Sequence, residues 1–395
     1  MIDDLTKLRM AKRGFAVFED RLIYDAQPPV DDATLAKIEA KCAGPLPEGL
    51  KALWRTAFGG SLDYALEIEL GDQIVEFSFT ELFYPDSGGY HDLWGWIDHE
   101  VGLAGQAAQE SGATFDGRLR YLPFGGFEYL DRLYVCVEPG PRHGSVLAWM
   151  QGLPPAWVLR LNQDSAGTIA GDVPSLFRLL DLNEDPFADG VSDIATGTQV
   201  AGEIAELARE DAALAASLKQ IVQGSVVDWR AAAASGSLAR SPRLLRLAIL
   251  DACERGDRDA LARLEASGCN IKAQLRSGGS ALDFALAQGH SALAEWLITR
   301  RFDVTNAVRN GASKSPPDLV RRLLKAGAKA DPIAARSAAL AGLHESAVLI
   351  AGALSNADRR ALVDGLDPEK AGADGPAVKA LRDACLKMRS GWFGR

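Results

Sequence analysis

Two stretches in the second half of this 395-residue chain repeat one another, and no other feature narrows its fold as much. ACERGDRDALARLEASGCNI (Ala252–Ile271) aligns with ALAQGHSALAEWLITRRFDV (Ala285–Val304), and Gly256 and Gly289 stand 33 residues apart. After each glycine, apolar residues return at helical spacing: Leu261 and Leu264 in one copy, Leu293, Trp296 and Leu297 in the other. These form the expected inner stripe of a second helix. A unit this short cannot bury an apolar face alone, so its copies must stack and cover one another. PPDLVRRLLKAGAKAD (Pro316–Asp331) fits a third unit with a shortened first helix, and IAARSAALAGLHESAVLIAGAL (Ile333–Leu354) a fourth with both helices. Residues 242–395 are therefore predicted to be an all-α helical repeat domain with a C-terminal helical cap.

The front of the chain follows a different pattern. Apolar stretches at Phe15–Phe18 and Leu22–Tyr24 suggest a small hairpin, closed by Pro28-Pro29. Asp31 or Asp32 can cap a helix carrying Leu35, Ile38 and Cys42, with Gly44 as a left-handed stop. A second helix starts near Pro47, aligns Leu50, Leu53, Trp54 and Phe58, and ends at Gly59-Gly60. The period then drops from 3.6 to 2. Tyr64, Leu66, Ile68 and Leu70 alternate with Asp63, Glu67 and Glu69, and Val75, Phe77 and Phe79 alternate again after a turn at Gly71-Asp72. Further strands are expected at Arg120–Phe124, Leu133–Val137, Ser145–Met150 and Val158–Leu161, a loop with a short helix at Pro85–Gly117, and a closing helix after Asp172. Residues 1–187 thus read as an α+β domain, a mostly antiparallel sheet with flanking helices. The Ala-rich segment 188–241, with Ile204, Leu207, Leu214 and Leu218, reads as a helical linker, and Val226, Val227 and Trp229 as its docking residues.

Charge divides the chain the same way. The chain has 43 Lys/Arg and 53 Asp/Glu, a net of −10. Residues 1–187 hold 15 bases against 29 acids, and the remainder 28 against 24. No Lys or Arg lies between Arg55 and Arg118, an interval that carries Asp63, Glu67, Glu69, Asp72, Glu76, Glu81, Asp86, Asp92, Asp98, Glu100, Glu110 and Asp116. Such a surface repels nucleic acid and attracts a basic protein. Aromatic residues Tyr84, Tyr90, Trp94 and Trp96 share the interval, and tyrosine and tryptophan are preferred interface anchors. The candidate partner-binding residues are accordingly Asp63, Glu67, Glu69, Asp72, Glu76, Glu81, Asp86, Trp94, Trp96, Asp98 and Glu100.

Other chemistry finds little support. His91 and His99, with Asp92, Asp98 and Glu100 nearby, lack any established metal-ligand spacing. GGFEYLDR and SGGYHDLWG match neither phosphate-cradling glycine pattern, and no GxSxG is present. Cys136 lies in an apolar alternation and reads as part of the sheet. Cys42, Cys136, Cys253, Cys269 and Cys385 are odd in number, and none forms a CxxC pair, which points to a reducing cytosol. No apolar run reaches a membrane span or a secretory h-region. The expectation is a cytoplasmic, non-enzymatic protein without cofactor or metal.

The order LPEGLKALWRTAFGG (Leu46–Gly60), acidic strands, RYLPFGGFEYLDRLYVCVEPG (Arg120–Gly140), GSVLAW (Gly144–Trp149) and PSLFRLLDL (Pro174–Leu182) resembles the SUKH superfamily, the domain of yeast Smi/Knr-type cell-wall regulators and of many bacterial immunity proteins. Phe127 and Tyr129 depart from the polar, glycine-rich turn usual there. The 33-residue units resemble degenerate ankyrin repeats, with SALDFA (Ser280–Ala285) where those carry Thr-Pro-Leu-His, Asp283 for the usual His and Arg301-Phe302 for the usual Gly-Ala. The SUKH resemblance implies an immunity protein that neutralises a cognate polymorphic or contact-dependent toxin, often a nuclease or other nucleic-acid-directed enzyme. The expected mechanism is occlusion of that toxin's basic cleft. The same resemblances leave open a regulatory scaffold that binds other proteins through both surfaces, and the histidines leave a metal-dependent hydrolase.

Overall fold

The computed structural model describes residues 3–70, 73–128, 130–150, 166–191, 195–275 and 278–390. They form two compact units, Met1–Val227 and Asp228–Arg395.

The first unit opens with α1 (Asp4–Lys12), which the sequence pattern had not marked, and the expected hairpin of β1 (Ala16–Phe18) and β2 (Arg21–Ile23). Asp31 caps α2 (Asp32–Glu39) by accepting the Thr34 N–H at 2.6 Å. Leu35 and Ile38 bury the inner face of this helix. Gly44 is not the expected left-handed stop. Its φ is not positive, and the glycine is needed because a Cβ there would sit 2.5 Å from the carbonyl oxygen of Val137. Pro47 precedes α3 (Glu48–Thr56), whose Leu50, Leu53 and Trp54 are fully buried. Gly59 then turns at φ 122°, in contact with the Tyr84 ring, where a Cβ would come within 2.4 Å.

The strands follow as β3 (Gly60–Ser61), the hairpin β4 (Glu67–Leu70) and β5 (Gln73–Glu76), and β6 (Glu81–Leu82). The expected loop with a short helix is instead a 19-residue helix, α4 (Leu93–Ser111). Asp92 caps its start and Gly112, at φ 68°, its end, and those two caps outweigh its three internal glycines. Beyond it lie β7 (Tyr121–Phe127), β8 (Asp131–Cys136), β9 (Val146–Met150), β10 (Ala166–Ala170) and α5 (Val173–Phe177). The antiparallel six-stranded sheet has the order β10-β9-β8-β7-β6-β3, while among the described residues β4 and β5 pair only with each other. The expected strand at 158–161 falls outside the described residues.

The sheet has two different faces. Leu122, Phe124, Leu133, Val135, Val146 and Ala148 join the main core with Trp54, Phe79 and Phe177. Tyr121, Tyr134, Cys136, Leu147 and Trp149 form a separate cluster on the other face. The segment expected as a linker is divided between the units. Helices α6 (Thr198–Ala208) and α7 (Ala212–Gln223) bury Val200, Ile204, Leu207, Leu214, Leu218 and Val222 in the first unit's core. Trp229, at the start of α8 (Trp229–Ala234), packs in the second.

In the second unit, helical hairpins follow in chain order: α9 (Pro242–Arg255) with α10 (Arg258–Ala266), α11 (Ala281–Gln288) with α12 (Ser291–Thr299), α13 (Ala307–Gly311) with α14 (Pro317–Lys325), and α15 (Pro332–Leu340) with α16 (His344–Ala353). The first helix of the third pair is the short one. Helices α9, α11, α13 and α15 contact in succession, as do α12, α14 and α16, and α18 (Gly375–Ser390) lies across α15 and α16 after α17 (Asn356–Gly365). Ion pairs join successive outer helices: Glu265 with Arg300 at 3.1 Å, Glu295 with Arg322 at 3.1 Å, and Arg321 with Glu345. Leu293 and Leu297 are buried as expected, but Trp296 is only half-buried, with the Arg300 guanidinium 4.1 Å from its ring. Asp283, in place of the usual histidine, forms a capping box with Ser280.

The turn after the second helix of the first three units explains the other departure from the repeat pattern. Gly268 and Gly327 are left-handed there, at φ 84° and 104°, and Arg301 takes the equivalent place at φ 59°. A side chain in that region costs about 1–2 kcal/mol, partly offset by the extra unfolded-chain freedom of glycine. Arg301→Gly is therefore expected to stabilise the unit by about 0.5–1 kcal/mol, read as a higher urea midpoint. A lower midpoint would mean that the arginine side chain holds more than its backbone strain costs.

Candidate functional site

The interval without Lys or Arg splits into an outer surface and a buried cluster. On the outer surface is the β4–β5 hairpin, where Glu67 pairs across from Glu76 and Glu69 from Ile74. Because side chains alternate, Ile68 and Val75 turn to the core, and Glu67, Glu69, Glu76 and Ile74 share the opposite face. Glu69 and Glu76 are exposed, while Glu67 and Ile74 are half-buried. Two glutamates directly opposed on a ladder disfavour the pairing by a few tenths of a kcal/mol to about 1 kcal/mol. Asp86 and Asp98 are exposed elsewhere, Asp86 at a left-handed φ of 58° and Asp98 at 3.8 Å from Lys41 Nζ. Asp72 lies outside the described residues.

Other candidates have structural duties. Asp63 accepts the N–H groups of Gln199 and Val200 at 2.8 and 3.2 Å, capping α6, whose own N-cap, Gly197, has no side chain to do so. Glu81 Oε2 lies 2.6 Å from His91 Nδ1. Trp94 is half-buried at the edge of the core.

Trp96 and Glu100 are corrections: the structure places both inside. The Trp96 indole stacks on Phe83 at 5.7 Å, and its Nε1 donates to the Tyr90 carbonyl at 2.6 Å. Glu100 is 0% exposed, and its Oε1 accepts from Arg132 at 2.9 Å and from the Tyr134 hydroxyl at 2.6 Å. The Arg132 guanidinium lies over the rings of both Trp96, at 4.1 Å, and Trp149, at 4.4 Å. Burial, reinforced by the Glu100 charge, pushes the Tyr134 phenol well above its usual range. The helical period of α4 aims Leu93, Trp96, Ile97 and Glu100 at the sheet together. A fully buried carboxylate needs such a partner set, and Arg132, a base next to Asp131 at the head of the otherwise uncharged run of β8, was the sequence signal for it.

Asp131, beside it on β8, accepts the Ser78 backbone N–H at 3.0 Å, yet burial raises its carboxyl pKa. A raised folded-state pKa favours folding while the group is protonated, and that contribution is lost as pH rises from about 4, the unfolded value, through the higher folded one. Asp131→Asn keeps an acceptor for Ser78 and removes the charge. The variant should gain stability over the parent as pH increases from 4 to 7 in thermal melts. A difference independent of pH would exclude this cause.

Among the described residues, no group of three or more His, Cys, Asp or Glu is placed to hold a metal ion. His99 packs edge-on to Trp96, and His143 Nε2 lies 2.8 Å from the Pro45 carbonyl. Cys136 is buried, and burial raises its thiol pKa. No described helix is long and apolar enough to cross a membrane. Divided at Val227, the charge asymmetry sharpens: Met1–Val227 holds 17 bases and 35 acids, Asp228–Arg395 26 and 18. No protein-family model matches the chain, and no curated protein matches it.

Proposed function

We propose that the protein acts by binding: an immunity protein whose acidic first unit docks on the basic cleft of a cognate toxin and excludes the toxin's substrate. The observation that carries this reading is the outer face of the β4–β5 hairpin, where three glutamates surround Ile74 and two of them oppose each other. An apolar centre ringed by charge is the pattern of a docking patch, with the charges speeding encounter and the centre setting the lifetime. The SUKH resemblance of residues 31–187 supports the same role independently of charge. The α+β class of the first unit and the stacked hairpins of the second are compatible with SUKH and ankyrin-type domains respectively, and the second would offer a further binding surface.

The test uses the full chain and a purified basic toxin domain encoded beside its gene. A stoichiometric complex with loss of toxin activity is expected, at nanomolar or tighter affinity, about −12 kcal/mol. Absence of a complex refutes the reading. A complex that leaves the toxin active would favour the regulatory scaffold instead.

A further inference from the structure

We infer that the second half of α4, Gly102–Ser111, is a strap that opens and recloses as a unit while the rest of the first unit stays folded, with Glu100 as its fastening. This goes beyond the binding role. The helix is held unevenly along its length. Its first two turns place Leu93, Trp96 and Ile97 in the main core, followed by Glu100 in its buried bonds to Arg132 and Tyr134. Beyond Glu100 the only fully buried side chains of the helix are Ala104 and Ala108, which remove little apolar area from water. Gly102 and Gly105 lie in this half, and glycine weakens a helix interior. Packing beside it is incomplete. An open cleft of about 290 Å³ is lined by Ala104 together with Ala43, Phe115, Arg118, Leu119 and Arg120. Segments with few buried apolar contacts open locally at lower free energy than the core they adjoin.

Hydrogen exchange followed by mass spectrometry on the full chain tests this. Amides within 102–111 should exchange at least roughly tenfold faster than those of 97–100, in line with local opening. Gly102→Ala and Gly105→Ala should each slow the 102–111 amides about four- to fivefold, the change in helix propensity expressed as a rate, and leave 97–100 unchanged. Neither alanine meets an obstacle: nothing lies within 4 Å of the Gly102 position, and the nearest atom to that of Gly105 is on the Phe115 ring at 3.9 Å. Equal protection in both halves, or alanines that slow both halves together, would overturn the inference, since α4 would then open as one body.

Discussion

Arg132→Met should cost the first unit about 3–5 kcal/mol, the usual penalty for removing one partner of a buried ion pair. Glu100 is 0% exposed and would be left charged without the guanidinium that offsets its desolvation. The same change strips the cation from above Trp96 and Trp149, worth up to about 2 kcal/mol per ring where water is excluded, so the upper end of the range is expected. The informative comparison is the triple variant Glu100→Met, Arg132→Met, Tyr134→Phe. It replaces every member of the cluster by an apolar group of similar volume, and such replacements are often neutral or stabilising. It also removes Arg132 Nε, which is buried without an acceptor. Urea unfolding of both variants should therefore show a large loss in the single and a small change in the triple. A single variant within about 1 kcal/mol of the parent would mean that the cluster relaxes around the lost guanidinium.

The α+β character of the front and the stacked helices of the back were readable because both rest on periodicity, which the backbone imposes on any sequence. The 33-residue spacing reappears in space: Gly256 and Gly289 are left-handed ends of α9 and α11, and Gly268 and Arg301 occupy equivalent turns. What periodicity does not show is which of two apolar faces a helix meets, and whether glycine breaks a helix. Seven glycines and a run of aromatics at Pro85–Gly117 suggested a loop with a short helix, but capping by Asp92 and core packing of Leu93, Trp96 and Ile97 outweigh the three glycines inside α4. The site was legible only in composition. A count of carboxylates between Arg55 and Arg118 cannot tell Glu69, in water, from Glu100, buried between α4 and β8, or from Asp63, capping α6 from 136 residues away in sequence. These roles depend on contacts distant along the chain. The division of 188–241 between the units was hidden for the same reason: Ile204 and Leu218 mark an apolar stripe without saying which neighbour it faces.

Reversing the hairpin's charge, Glu67→Lys, Glu69→Lys and Glu76→Lys together, should slow association with a basic partner by at least tenfold at low salt. Electrostatic steering contributes factors of roughly 10–10³ to such rates. Steering is screened over about 10 Å at 0.1 M salt, so the parent should lose its rate advantage as salt rises, while the variant's rate should change little or rise. Dissociation should change less, because rim charges act mainly on encounter. Folding is not expected to suffer, since the three side chains lie on the face turned away from Ile68 and Val75. The single variant Glu76→Lys separates charge from structure, because it turns the opposed pair with Glu67 into an attractive one. Its stability should rise by up to about 1 kcal/mol while its association slows, so the two measurements move in opposite senses. If Glu76→Lys stabilises the protein and association with the basic partner is unchanged in both variants, the hairpin is a solvated surface and the partner must dock elsewhere. If association slows only in proportion to lost stability, the effect belongs to the fold and not to the charge.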